Sequence, residues 1–203
     1  MKYDKSLIIH KLLRWEGYLH QYNLPLWKDL PDIGLYMDQV TALLSHYLDF
    51  ISSANPSERP ITPTTINNYV RLKVMPAPIK RKYYRLHIAY LIVIFTLKQS
   101  ASISSVQQII PNGLAEEEMR TFYESYARKL QEVSNLFIEQ TRTAAQDILL
   151  VSEEVDDDAA VDGLIIQTLL MAGFSNIMAD KLLQLRGAEK EAIVSTEVPR
   201  DEI

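Results

Sequence analysis

Residues 88–97, Ile-Ala-Tyr-Leu-Ile-Val-Ile-Phe-Thr-Leu, form the most apolar run in the chain. Ten residues are about half of a membrane span. The run is therefore expected to be a buried helix, over residues 86–99, against which the rest of the chain packs. Glycine is scarce, at 6 of 203 residues, and strand-like alternation is hard to find. The chain reads as all-α. An apolar fraction of 47% and a charged fraction of 23% are ordinary for a soluble globular protein. The length suffices for one larger domain or two small ones. Cysteine is absent, which excludes disulfides, thiolate metal sites and cysteine nucleophiles. Met1-Lys2-Tyr3-Asp4-Lys5 leads into an amphipathic stretch rather than a secretory core. A cytoplasmic protein without a membrane segment is the expectation.

Helical periodicity divides the remainder. Leu7, Ile8, Leu12, Trp15 and Leu19 make one stripe of a helix over residues 5–20. Pro25 and Pro31 bracket an extended connection whose Leu and Trp residues suit a segment packed onto the domain. A second helix fits residues 36–51, with Val40, Leu43, Leu44, Tyr47 and Leu48 inward and Asp38 favouring the dipole of its first turn. Residues 52–60 have loop composition. Thr62-Pro63 starts a helix over residues 63–72, with Thr as N-cap and Pro at the first helical position. It ends before Pro76 and Pro78. Ser102 or Ser104 can cap a short helix through Val106, Ile109 and Ile110. Pro111-Asn112-Gly113 then stops it and is the candidate domain boundary. Residues 115–150 read as one long helix with Met119, Phe122, Tyr126, Leu130, Val133, Phe137, Ala144, Ile148 and Val151 near one stripe. Residues 161–174 and 177–185 look like a helical hairpin turned at Gly173-Phe174-Ser175-Asn176. The organisation expected is residues 1–112, then a helical region at 113–186, then a disordered tail at 187–203.

Charge is distributed unevenly over these elements. Between Arg59 and Ala115 lie eight of the 21 Lys and Arg residues and none of the 26 Asp and Glu residues. In a chain of net charge −5, that window holds the positive potential, as a surface meant for a polyanion does. A helix that reads a duplex must be short, must expose amides and hydroxyls, and must be flanked by bases that hold phosphates. The helix at 63–72 offers Thr64, Thr65, Asn67 and Asn68. Asn can pair in bidentate fashion with adenine, and Thr carries a hydroxyl and a methyl suited to thymine. Arg71 and Lys73 leave its C-terminal end. Lys80, Arg81, Lys82 and Arg85 follow around Tyr83 and Tyr84, a composition for gripping a phosphate backbone.

The segment Thr65-Ile66-Asn67-Asn68-Tyr69-Val70-Arg71-Leu72-Lys73-Val74-Met75-Pro76 resembles the recognition-helix motif of the MerR-type winged helix-turn-helix regulators. Arg81-Lys82-Tyr83, with Ile88 and Leu91 beyond, resembles that family's wing. Residues 103–110 resemble its closing short helix. The Leu-Tyr-Met-Asp-Gln-Val and Ile-Asn-Asn-Tyr-Val stretches are more similar still to an uncharacterised bacterial family described as a domain of unknown function and regarded as MerR-like. The resemblance implies an all-α fold with room for a minimal β wing. It implies Arg71, Arg81 and Tyr83 on phosphates, and Thr64, Thr65, Asn67 and Asn68 facing bases. It also implies a homodimer formed through the long helix after residue 114, acting on double-stranded DNA as a transcriptional regulator under a small-molecule or protein effector. Asn67 stands where the MerR-type pattern has Arg, Lys73 replaces its helix-ending Gly, and the 52–61 loop is longer than a tight turn. The alternative for the long helix is to fold back on the 161–185 segment. The alternative for the whole is a helical protein-interaction module without DNA binding.

Other chemistry finds no residues. His10, His20, His46 and His87 are scattered without the spacing of a zinc site. The acidic run at 153–158 lacks the central Gly of a calcium loop. No phosphate-cradling glycine loop or nucleophile elbow occurs. No enzyme activity, metal or cofactor is expected.

Overall fold

In the computed structural model the apolar run is a helix, α4 (Arg85–Leu97), and every side chain from His87 to Phe95 is buried. The structure describes residues 3–51, 61–111, 113–149 and 157–186. The fold is all-α, and the described residues pair as β structure only at two isolated bridges. The one hydroxyl in the second half of the run, Thr96, bonds back to the carbonyls of Ile92 and Val93 at 2.9 and 3.0 Å and meets the Tyr126 hydroxyl. Its burial therefore leaves no polar group stranded.

Helices α2 (Met37–Tyr47) and α6 (Glu116–Ala144) pack on α4, α3 (Pro63–Arg71) packs on α2, α5 (Ile103–Ile109) buries Val106 in the same cluster, and α1 (Lys5–Gln21) packs on α6. The connection between α1 and α2 packs as expected. Leu24, Trp27 and Leu30 are buried, and Tyr123 of α6 donates to the Pro25 carbonyl at 2.8 Å. Helix α2 is shorter than its periodicity suggests. The Tyr22 hydroxyl takes up the Tyr47 carbonyl at 2.7 Å, satisfying one of the acceptors a helix end leaves open, and residues 49–51 tighten into a 3₁₀ turn. Val40, Leu44 and Leu48 still face the core.

The start of α3 follows its sequence signal. The Thr62 side chain accepts from the Thr65 N–H at 3.1 Å, with Pro63 in the first turn. Its end is a Schellman cap: Val74 N–H bonds to the Tyr69 carbonyl and Lys73 N–H to the Val70 carbonyl, both at 3.0 Å. That geometry places Lys73 at φ +55°, a left-handed conformation in which a Cβ is strained. Lys73→Gly is therefore expected to raise the unfolding free energy by about 1 kcal/mol, measured by urea denaturation. No gain would mean that the contacts Lys73 makes outweigh the relief of strain.

The core crosses the expected boundary at residue 112, because Met119 and Tyr123 of α6 are fully buried in the same cluster as α4. Helix α6 ends at Ala144, short of the predicted residue 150. Ala145 leaves helical geometry, and α7 (Gln146–Leu149) turns Ala145 and Ile148 into buried positions. The apolar side of α6 is taken up inside the chain by α1 and α4. Trp15 meets Phe137 edge-on at 5.4 Å, and Arg142 pairs with Glu16. Val133, expected on the seam, is 53% exposed. Val151, most of the acidic run and the 187–203 tail lie outside the described residues.

The predicted hairpin is absent. Residues Asp157–Gln184 form one continuous helix, α8, straight through Gly173. A glycine inside a helix costs about 1 kcal/mol against Ala. That is too little to offset the hydrogen bonds that a turn there would forfeit without a packing surface to gain. Helix α8 is long and apolar enough to cross a membrane, and nearly all of it is exposed.

Candidate nucleic-acid interface

Helix α3 divides cleanly into two sides. Ile66 and Tyr69 point inward, and the Tyr69 ring meets Phe95 edge-on at 5.4 Å. Thr64, Asn67, Asn68 and Arg71, at steps of three, one and three, share the opposite face. Thr64, Asn67 and Arg71 are exposed and Asn68 is partly so. The Asn68 side-chain oxygen accepts from the Arg71 guanidinium at 2.7 Å. A bidentate pair with a base therefore requires Arg71 to let go of that oxygen. Asn67 carries no such tie, which makes it the better placed of the two amides. Thr65 departs from the expectation. It is half-buried with its hydroxyl on that of Thr62 at 2.8 Å, so it belongs to the cap.

The basic segment folds into a two-residue turn. Ile79 and Lys82 exchange backbone hydrogen bonds at 3.0 and 2.9 Å, and Lys80 and Arg81 between them sit at φ +50° and +63°. Two consecutive left-handed residues mark a type I′ turn, the position for which Asn-Gly is preferred. Here two long cations occupy it instead, at a cost of roughly 1–2 kcal/mol each. Both side chains are exposed. Lys82 is half-buried, with its ammonium 5.3 Å from the centre of the Tyr36 ring. Its stem lies over Gly34, where a Cβ would come within 2.9 Å of Lys82 Cβ.

Two residues leave the candidate set. Tyr83 is 3% exposed, and its backbone pairs with Leu35 through two 2.8 Å bonds. Burial pushes its phenol up from the ordinary value, so Tyr83 anchors the turn and does not contact phosphates. Arg85 is turned inward as well. Its Nε donates to the Leu30 carbonyl at 3.0 Å, and its guanidinium lies 4.0 Å from Asp32. Composition points to Arg85 and the wing resemblance to Tyr83, and neither tells a basic or aromatic side chain that fastens a turn from one that projects from it.

Sequence reading missed two supports. Gln107 of α5 donates to the Leu72 carbonyl at 2.7 Å and holds the C-terminal end of α3. His87, 2% exposed, accepts the Tyr84 N–H on Nδ1 at 3.1 Å, and Nε2 lies 3.0 Å from the Ala77 carbonyl. A carbonyl needs a donor, so the ring is neutral with its proton on Nε2. His87 thereby ties both flanks of the basic turn to α4, with the Tyr83 and Tyr84 rings as its aromatic neighbours. Desolvation holds its pKa below the usual 6.5, partly opposed by its two backbone bonds. An unfolded chain accepts the proton that the folded one resists. Stability should thus be complete at neutral pH and fall once the pH drops below about 6.5, by at most about 1.4 kcal/mol per pH unit from this residue. Urea midpoints at pH 7.5 and pH 5 read this directly. His87→Gln, which keeps an acceptor for Tyr84, should flatten the slope, and an unchanged slope would assign the effect elsewhere.

No curated protein and no solved structure matches this chain. A family model described as a domain of unknown function (DUF1836) matches residues 25–126. That span holds the packed connection, α2 to α5 and the buried start of α6. The core cluster, from Leu24 to Tyr123, covers almost the same stretch. The matched span is thus the body that carries α3 and the basic turn, and this chain belongs to the DUF1836 family.

Proposed function

We propose that this protein binds double-stranded DNA in a sequence-dependent way and acts as a transcriptional regulator, on a frame resembling the MerR-type winged helix-turn-helix. Helix α3 enters the major groove with Thr64 and Asn67 toward base edges, and Asn68 joins them when Arg71 swings to a phosphate. The Lys80–Arg81 turn serves as the wing, with Lys82 and Lys73 adding to the phosphate grip. Partly buried Thr65, buried Tyr83 and inward Arg85 support this surface and do not touch the duplex.

The observation that carries the reading is the strained turn. Lys and Arg occupy two left-handed positions where Asn-Gly would be easier, and both cations are exposed at the turn. Strain of this kind persists where it serves a function. A surface needing only a turn gains nothing from it. The amide face of α3 supports base reading in particular, since an acidic protein partner asks for charge and not for Asn.

Selection of bound duplexes from a random pool tests the reading, with enrichment of a short motif as the expected result. Asn67→Ala should then relax preference at one base pair, worth about 1–3 kcal/mol of discrimination, while total affinity for unselected duplex changes little. A pool that yields no motif, or an Asn67→Ala profile identical to that of the parent, contradicts the assignment of α3.

A further inference from the structure

The C-terminal end of α3 is fastened from another helix. Its cap uses the Tyr69 and Val70 carbonyls, and the Leu72 N–H takes that of Asn68. The Leu72 carbonyl is left over, and Gln107 donates to it at 2.7 Å from 35 residues away in sequence. Helix α5 is a fixed base for that bond. Val106 and Ile110, on either side of Gln107, are buried in the core cluster. The Ser102 hydroxyl accepts the Ser105 N–H at 3.0 Å, and Tyr90 of α4 donates to the Pro111 carbonyl at 3.0 Å. Side chains do not fill the junction itself. A recess of about 260 Å³ opens there, lined by Leu72, Lys73, Val74, Gln107 and Ile110.

Gln107 is exposed, so water could satisfy the Leu72 carbonyl almost as well, and the bond contributes little to folding. What it adds is a set distance between α5 and the end of α3. Base recognition depends on such a distance. An Asn amide meets adenine through two near-linear hydrogen bonds, and a recognition group must be held within about 0.5 Å of its productive position. A swing of α3 about its Thr62 cap moves Asn67 about half as far as Leu72. A displacement of about 1 Å at Leu72 therefore uses up the whole tolerance at Asn67. The basic turn is fastened separately, by Leu35 on Tyr83 and by His87.

From this arrangement we infer that Gln107 is a positioning residue for sequence recognition, which sets the tilt of α3 without touching the duplex. The inference rests on the DNA-binding reading above and assigns part of its specificity to a residue outside α3.

The test uses the full chain and the duplex motif that the parent selects. Gln107→Leu removes the donor at nearly constant size, and Gln107→Asn keeps the amide but stops one methylene short. Gln108→Leu, at the exposed neighbouring position, is the control and should behave as the parent. Both Gln107 variants should bind the selected duplex about tenfold more weakly, with a melting temperature within about 2 °C of the parent's. Affinity for unselected duplex and its salt slope should not change. In an Asn67→Ala background Gln107→Leu should cost less than about twofold, because no amide remains to be misplaced. Hydrogen exchange on the free protein reads the hold on α3 without DNA. The Lys73 and Val74 amides should exchange several-fold faster in Gln107→Leu, while that of Ile66 keeps its rate. Equal losses in the two backgrounds, a loss that extends to unselected duplex, or unchanged exchange at Lys73 and Val74 would each overturn the inference. A parent that selects no motif removes the DNA-binding reading and this inference with it, an outcome told apart from the others because it needs no variant.

Discussion

Replacing Lys80, Arg81 and Lys82 together by Ala is expected, on the proposed function, to lower duplex affinity on the order of a hundredfold at moderate salt and to flatten its salt dependence by up to about 2.7 in the log–log slope. Each phosphate contact releases counterions, and each lost contact removes about 0.9 from that slope. The turn itself remains, because Ile79, Lys82 and Tyr83 hold it through backbone bonds that Ala preserves. A second variant separates charge from shape. Lys80→Asn with Arg81→Gly installs the pair that a type I′ turn prefers, so stability should rise by about 1–2 kcal/mol while affinity falls. A variant that is both more stable and a weaker binder is what a strained functional tip produces. Equal affinity for the parent and the triple Ala variant would remove the turn from the interface.

Phe95→Ala should cost about 3–5 kcal/mol of stability, the range for deleting a buried aromatic side chain. Phe95 is 1% exposed, lies at the end of the buried face of α4 and receives the edge of Tyr69. The loss therefore combines burial with a cavity under α3. A helix of nine residues has little stability of its own. Its backbone amides should exchange with solvent faster than those of α6 in the same variant. Urea denaturation gives the first number and hydrogen exchange the second. A cost below 1 kcal/mol would mean that α3 is seated by something other than Tyr69 on Phe95.

What was legible in the sequence was mostly what local chemistry determines. Thr62-Pro63 specified the start of α3 because the cap hydroxyl and the missing proline N–H act within one turn. Residues 88–95 named the central helix because nothing but burial suits so apolar a run. The Leu24, Trp27 and Leu30 anchors were visible for the same reason. The harder features depend on partners far along the chain. Lys80-Arg81 has no turn signature; its geometry is imposed by Leu35 pairing with Tyr83 and by His87 holding Ala77 and Tyr84. Tyr83 and Arg85 share the composition of the basic tip, and only the packing assigns them to its support. Gly173 resembled a turn, yet a single glycine does not break a helix whose other residues favour it. The end of α6 at Ala144 followed no breaker residue and reflects the burial of Ala145 and Ile148.

The measurement that bears most directly on the proposed function is equilibrium binding of the full chain to a mixed-sequence duplex pool, followed by fluorescence anisotropy across a salt series that begins at low ionic strength. The exposed cations Arg71, Lys73, Lys80 and Arg81, with half-buried Lys82, predict tight binding at low salt and a linear log–log decline with a slope of about −3 to −4.5. Absence of binding at the lowest salt, or affinity indifferent to salt, would contradict the DNA-binding account.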